Sequence, residues 1–239
     1  MPSHFSAIGF PVHSQEEWEA IVLRAAASAE PLETETGYAY LPWRVDGGVE
    51  LWAQQMPDGA LFGCNPHFSG TSRIRLRVTK VASDESNMLD GAIEGWVNPE
   101  DDVEESGSYP IRIDMPDFEL VRSTLEASQI VTMQVAAFAH ELHCYASEEA
   151  FAKDQTWQPK LAPKALIPIG LFPPANPEGG GTFFHLVVRT FDAEFDVVAD
   201  PESVTGDPIV GGVVQGTFWL SGRVVQPGEP HRSHRPIVH

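Results

Sequence analysis

At 239 residues, with 42% hydrophobic and 21% charged residues, the chain has enough apolar material for a sizeable core without disulfides or a structural metal. Its formal net charge of −19 repels phosphate, which excludes nucleic acid and anionic membrane surfaces as partners; small molecules, cations and basic protein surfaces remain. The 20 glycines and 20 prolines point to many short strands joined by tight connections.

His4 to Val12 is an extended apolar run and reads as a strand. Ser14 with Glu17 three residues on is a capping box, in which hydroxyl and carboxylate satisfy free backbone N–H groups. The helix it starts runs to Ala29, with Trp18, Ile21, Val22, Ala25 and Ala29 on one face, and Pro31 stops it. Leu32 to Gly37, Tyr38 to Val45 and Val49 to Gln54 read as strands, the last two joined by the hairpin signal Asp46-Gly47-Gly48. This β-α-β-β-β order predicts a curved sheet with a cavity on one face. Cys64, Asn65 and His67 surround Pro66 and read as a turn.

Ser72 to Val81 alternates, with Ile74, Leu76 and Val78 inward and Arg73, Arg75 and Arg77 outward as a solvated row. Asp84 to Glu105 is acidic, with no Lys or Arg; Ala92 to Val97 interrupts it as a short strand. Pro99 to Gly107 is expected to be a mobile surface loop beside the arginine row. Ile130 to Tyr145 is apolar enough for a strand or a helix; its β-branched start favours one long, bent strand. Ser147 caps a short helix to Gln155, and Pro159 to Pro177 is extended. Thr182 to Asp192, Glu194 to Ala199 and Val213 to Val225 read as closing strands, with Gly211-Gly212 and Gly216 marking a bend or bulge. The expected fold is α+β, mainly β: two packed β units at residues 1–128 and 129–226, few short helices, and a disordered tail at 227–239.

Cys64 and Cys144 are the only cysteines; whether they pair is open. No signal peptide and no apolar run of membrane-spanning length is read, so a cytoplasmic location is expected. His140-Glu141-Leu142-His143 places its histidines three apart, not the four of the helical zinc-protease motif, and reads as structural. A Cys64–His67 thiolate pair is weighed against a buried thiol and a solvated imidazole, and the latter is preferred. The acidic run lacks the spacing of a calcium loop, and tail histidines His231, His234 and His239 offer at most loose metal contact. Phosphate-binding, dinucleotide, hydrolase and Cys-x-x-Cys motifs are absent. The aromatics Trp43, Trp52 and Phe62, with His67, are the candidate lining of a ligand pocket.

HFSAIGFPV, SQEEWEAIVLRAAASA and GGVELWAQ resemble the first strand, helix and last strand of one module of the vicinal-oxygen-chelate superfamily of glyoxalases and extradiol dioxygenases, over residues 1–55. The resemblance implies His4 and Glu50 as ligands of a divalent metal acting as Lewis acid on a chelating substrate. The second half lacks the matching helix and acidic closing strand. GCNPHFSG, GWVNPED and GTFWLSG resemble uncharacterised bacterial proteins, which implies no activity. The closing strands resemble an OB-like barrel, except that the second predicted helix follows the first strand of that half, not the third. The leading expectation is a non-catalytic cytoplasmic module, without a cofactor, that binds a small molecule or a protein. The alternatives are a metal-dependent enzyme of the vicinal-oxygen-chelate type and an inhibitor-like protein whose acidic loop masks a basic partner. Oligomeric state is open.

Overall fold

The computed structural model describes residues 3–101, 103, 106–154, 166–172, 176–191 and 193–225. The expected tail, with His231, His234 and His239, lies outside these residues, as does much of the expected extended stretch at 159–177. The mainly β reading holds: two sheets dominate and the helices are short.

Helix α1 (Gln15–Ala27) starts where its cap demands. Ser14 Oγ accepts from the Glu17 N–H at 3.2 Å, and Glu17 Oε2 accepts from the His13 N–H at 2.7 Å. The return bond thus lands one residue before the cap. Val22 packs with Leu41 and Ala53, laying the helix on a four-stranded meander. That sheet is β1 (Leu32–Glu33), β2 (Ala39–Arg44), β3 (Val49–Gln55) and β4 (Leu61–Phe68), antiparallel and in chain order. The β2–β3 turn needs Gly47 and Gly48, whose φ of 86° and 92° only glycine adopts freely.

Two expectations are corrected here. His4 to Val12 is not a strand: Ser6–Ile8 form a 3₁₀ turn that ends at Gly9, φ 78°. Ser3 and Ser6 bond to each other's backbone N–H at 2.8 and 3.1 Å, and Asn176 Nδ2 donates to the Ile8 carbonyl at 2.8 Å. Backbone groups that would pair in a sheet are therefore met locally, while Ala7, Ile8 and Phe10 are buried with Leu51, Phe68 and Phe138. The Cys64–His67 stretch is strand, not turn. Pro66 stands opposite Leu51 in β4, an edge strand, where a missing N–H is tolerated.

The larger sheet contains β5 (Ile74–Ser83), β6 (Gly91–Val97), β7 (Tyr109–Asp114), β8 (Ile130–Tyr145), β9 (Ile167–Phe172), β10 (Phe184–Thr190), β11 (Ala193–Ala199), β12 (Val204–Thr205) and β13 (Val213–Val224). β5, β6 and β7 form an antiparallel meander. β7 lies beside β13 in parallel at Asp114–Ser221, β13 runs antiparallel to β8, and β8 returns to β5. Five strands thus close a barrel, with α2 (Phe118–Val121) between its third and fourth strands. This is the strand order of an OB-type barrel, its helix after the third strand once counting starts at β5. Residue 128 lies between the third and fourth barrel strands, so the barrel draws on both sides of that position.

β8 and β13 also belong to a second curl. β11 pairs in parallel with β8, β10 and β9 follow antiparallel, and Leu166 exchanges backbone bonds of 3.0 and 2.8 Å with Val214 of β13. The β8–β13 register shifts between Thr217 and Phe218. At Gly216 a Cβ would sit 2.1 Å from the Glu141 carbonyl, so only glycine permits this approach. The predicted bend near Gly216 is thus the bulge that lets one strand pair serve two curls.

The arginine row does meet the acidic loop: Arg75 pairs with Asp101 at 2.6 Å. Arg77 departs from the solvated reading. It is buried, and its guanidinium donates to the carbonyls of Ser128, Glu100 and Asp101 at 3.2, 2.7 and 2.9 Å. α3 (Glu148–Lys153) has the expected cap, with Ser147 Oγ accepting from the Ala150 N–H at 3.2 Å. No helix among the described residues is long and apolar enough to cross a membrane.

Phe138 on β8 is fully buried between the turn at Ser6–Ile8 and Trp219. Phe138→Ala is expected to lower unfolding free energy by about 3–5 kcal/mol. A urea titration that returns a loss under about 1 kcal/mol would contradict this packing.

Candidate functional site

The four predicted pocket residues do not face one cavity. Trp43 is buried against Phe10, with the Arg24 guanidinium 5.0 Å from its ring centre. Trp52 is buried beside Tyr40 and Leu89, with Arg44 and Arg223 at 5.5 and 5.1 Å from its ring. Phe62 meets the edge of Tyr38 at the partly exposed margin of that cluster. His67, expected to be solvated, is fully buried between the meander and the barrel.

His67 is locked by two neutral partners. Gln134 Nε2 donates to the Phe68 carbonyl at 3.0 Å, so its Oε1 accepts from His67 Nε2–H at 2.9 Å, and Ser221 Oγ donates to Nδ1 at 2.9 Å. Burial pushes its pKa down to about 3; Arg223 adds to the fall, while Asp117, the Gln134 bond and Asp196 oppose it. The imidazole is therefore neutral, fully bonded and closed to any reactant.

Glu50, the proposed metal ligand on β3, stands opposite His67 in register. Its carboxylate accepts from Trp52 Nε1 at 2.9 Å and lies 3.6 Å from Arg44. His4 stacks on Trp219, with ring centres 4.3 Å apart and planes 10° apart, and lies near His140 and Phe138. Its pKa falls to about 4 through burial and the neighbouring His140, against the pull of Asp114. The partners of His4 and of Glu50 have no residue in common. Among the described residues no group of three or more His, Cys, Asp or Glu is gathered to hold a metal ion.

The chain does assemble a Ser, a His and an Asp, in an order that makes no nucleophile. Asp196 Oδ1 pairs with His185 Nε2 at 2.8 Å, and Oδ2 accepts from both the N–H and the hydroxyl of Ser72. The carboxylate sits in the middle, so Ser72 faces a weakly basic carboxylate and no imidazole. Burial pushes the Asp196 pKa up, but His185 and Ser72 outweigh it and hold the carboxyl below its usual value. Desolvation raises the Cys64 thiol to about 12 and the Cys144 thiol to about 11, and both cysteines are free thiols. Neither is activated as a thiolate. His140, Glu141 and His143 lie on strand β8 rather than on a metal-binding helix.

Cavities lined by described residues lie elsewhere. One of about 150 Å³ opens between β4, β7 and β13, and its polar groups already have partners. Asp90 accepts from Gln54, Asn65 and Asn87 at 2.6, 2.7 and 2.8 Å, and Asp114 accepts from Trp219 Nε1 at 2.6 Å. A second, of about 310 Å³, is a polar surface hollow near Gly9, His13 and Asp200. The third, of about 270 Å³, lies against the wall that the two curls share, and its lining includes Ile111, Ala137, Val188, Val197, Phe218 and Leu220. Two polar residues of this lining, Gln215 and Thr190, are only 4% and 7% exposed. The Gln215 carboxamide and the Thr190 hydroxyl have no hydrogen-bond partner.

The sequence reading missed this cavity, which draws residues from β7, β8, β10, β11 and β13. A local signal existed in Gln215, a lone amide inside the apolar run VVQGTFWL. No family model, curated protein or solved structure matches this chain.

The neutral state of His67 carries a pH signature. In the unfolded chain the imidazole gains its proton near 6.5, whereas in the folded protein it does so near 3. Its stabilising contribution is therefore complete above pH 6.5 and is lost as pH falls from 6.5 towards 3. His67→Gln, which keeps polar contacts without titrating, is expected to flatten the acid limb of stability by about 1.4 kcal/mol per pH unit in that window. Urea titrations between pH 4 and 7 test this; parallel limbs for the two proteins would refute it.

Proposed function

We propose that the protein is a non-catalytic module that binds a small apolar molecule in the cavity walled by β8 and β13. One observation carries this reading: an open, largely apolar cleft of about 270 Å³ against the main core. Benzene needs a space of only ~150 Å³, so this cleft has room for a two-ring molecule. Apolar walls with few polar groups are the usual form of small-molecule sites. The histidines, carboxylates and thiols described above support a binding role over a catalytic one, since their bonds or burial suppress reactivity.

The metal-dependent alternative asks His4 and Glu50 to converge on one ion. Their separate partners favour the cavity instead. Two free thiols are in keeping with a reducing compartment such as the cytoplasm.

Naphthalene is the probe that matches the cavity in size and polarity. It is expected to bind saturably and to shift backbone amide signals at Ala137, Val188 and Leu220. Leu220→Trp, which fills the cavity from a partly exposed position, is expected to weaken binding at least about tenfold. Saturable shifts confined to other regions, or no binding at all, would defeat the reading.

A further inference from the structure

We propose that the natural occupant of this cavity presents a planar amide-type edge, with an N–H donor beside a carbonyl acceptor, to the carboxamide of Gln215. The inference rests on the binding role given to the cavity above and adds the chemical class of its ligand: a lactam, imide or primary amide on a flat apolar body.

Gln215 is the anomaly that points to it. Its Nε2 and Oε1 are both closed to water and both without a hydrogen-bond partner. A buried amide in that state costs more free energy than an apolar side chain of the same size. Other buried amides of this protein are engaged: Gln134 bonds His67 and Phe68, Gln54 bonds Asp90 and Asn87, and Asn176 bonds Ile8. Gln215 is also a lining residue of the largely aliphatic cavity, so the penalty sits beside space that a ligand can enter.

A carboxamide offers one donor and one acceptor side by side. Its complement is the same pair reversed, which an amide edge supplies in two parallel hydrogen bonds. Gln215 turns its terminal group into the cavity to make them. Thr190 adds a buried hydroxyl without a partner on the same lining, able to donate to or accept from a further polar atom of the ligand. The remaining wall, Tyr109 apart, is apolar, so most of the rest of the occupant is too. A site of this kind discriminates against analogues lacking the paired group, because they leave the amide unpartnered.

The experiment compares 2-quinolinone, which carries a lactam edge, with naphthalene, which has the same two-ring outline, and with N-methyl-2-quinolinone, which lacks the donor. In the wild-type protein 2-quinolinone is expected to bind at least about tenfold more tightly than its N-methyl form. Gln215→Leu is expected to weaken 2-quinolinone at least about tenfold while leaving naphthalene as tight or tighter. The same substitution is expected to raise the melting temperature of the ligand-free protein, because it removes two unpaired polar atoms. Gln215→Met serves as a second variant of similar length.

Three results overturn the proposal. Equal losses for 2-quinolinone and naphthalene on substitution of Gln215 refute the amide pairing and leave the cavity reading standing. A lowered melting temperature in both ligand-free variants means the carboxamide already has a partner. Failure of all three probes to bind removes the cavity reading together with this one.

Discussion

The antiparallel pairing of β8 with β13, from Val213–Tyr145 to Val224–Met133, is the constraint on which the architecture rests. Each strand has two edges, and the shared pair uses one of each. The remaining edge of β8 takes β5 low down and β11 higher up, and β13 takes β7 and then Leu166. Two curls therefore hang from one ladder. The register shift at Thr217–Phe218 and the bare backbone of Gly216 let that ladder bend. A straight pair would serve one barrel only.

Buried polar groups join the other parts to this frame. His67 on β4 reaches Gln134 on β8 and Ser221 on β13, so the small meander is fixed to both shared strands at once. Asp196 on β11 ties His185 on β10 to Ser72 at the entrance of β5. At Gly70 a Cβ would stand 2.0 Å from the Asp196 carboxyl group, so the absence of a side chain is what lets the carboxylate occupy its place. Hydrogen bonds of this kind are directional and demanding when buried, which makes them suited to setting register between sheets. The same engagement removes these side chains from chemistry. Ser72, His185 and Asp196 resemble a catalytic set in composition alone, because the carboxylate takes the central position that the imidazole would need.

The cavity follows from the same geometry. A wall shared by two curls must face strands approaching from different directions, β7 on one side and β10 and β11 on the other. Side chains such as Ile111, Val188 and Leu220 reach inward from these strands and stop short of one another. The space left is apolar because each strand contributes its core-facing set. Gln215 and Thr190 are exceptions, with buried polar atoms that have no hydrogen-bond partner. The charge of −19 bears on partners at the surface, whereas the proposed ligand site would select by shape and by one paired polar group.

Much of the local structure was legible in residue order. The Ser14 cap, the Gly47-Gly48 turn, the alternating β5 and the single long strand at Ile130–Tyr145 all depend on near neighbours, and near neighbours are what a sequence records. The first apolar run read as a strand and not as a 3₁₀ turn, because Asn176, a partner of its backbone, lies far along the chain. His67 looked like a turn residue beside a proline; its partners Gln134 and Ser221 are brought in by other strands. The residues alone thus determined a mainly β chain, its capped helix and its tight turns, since propensity and periodicity act over a few positions. Tertiary pairing alone decided which strands share edges, which histidines stay neutral and where an apolar cleft forms, since each depends on groups far apart in the chain meeting across a sheet.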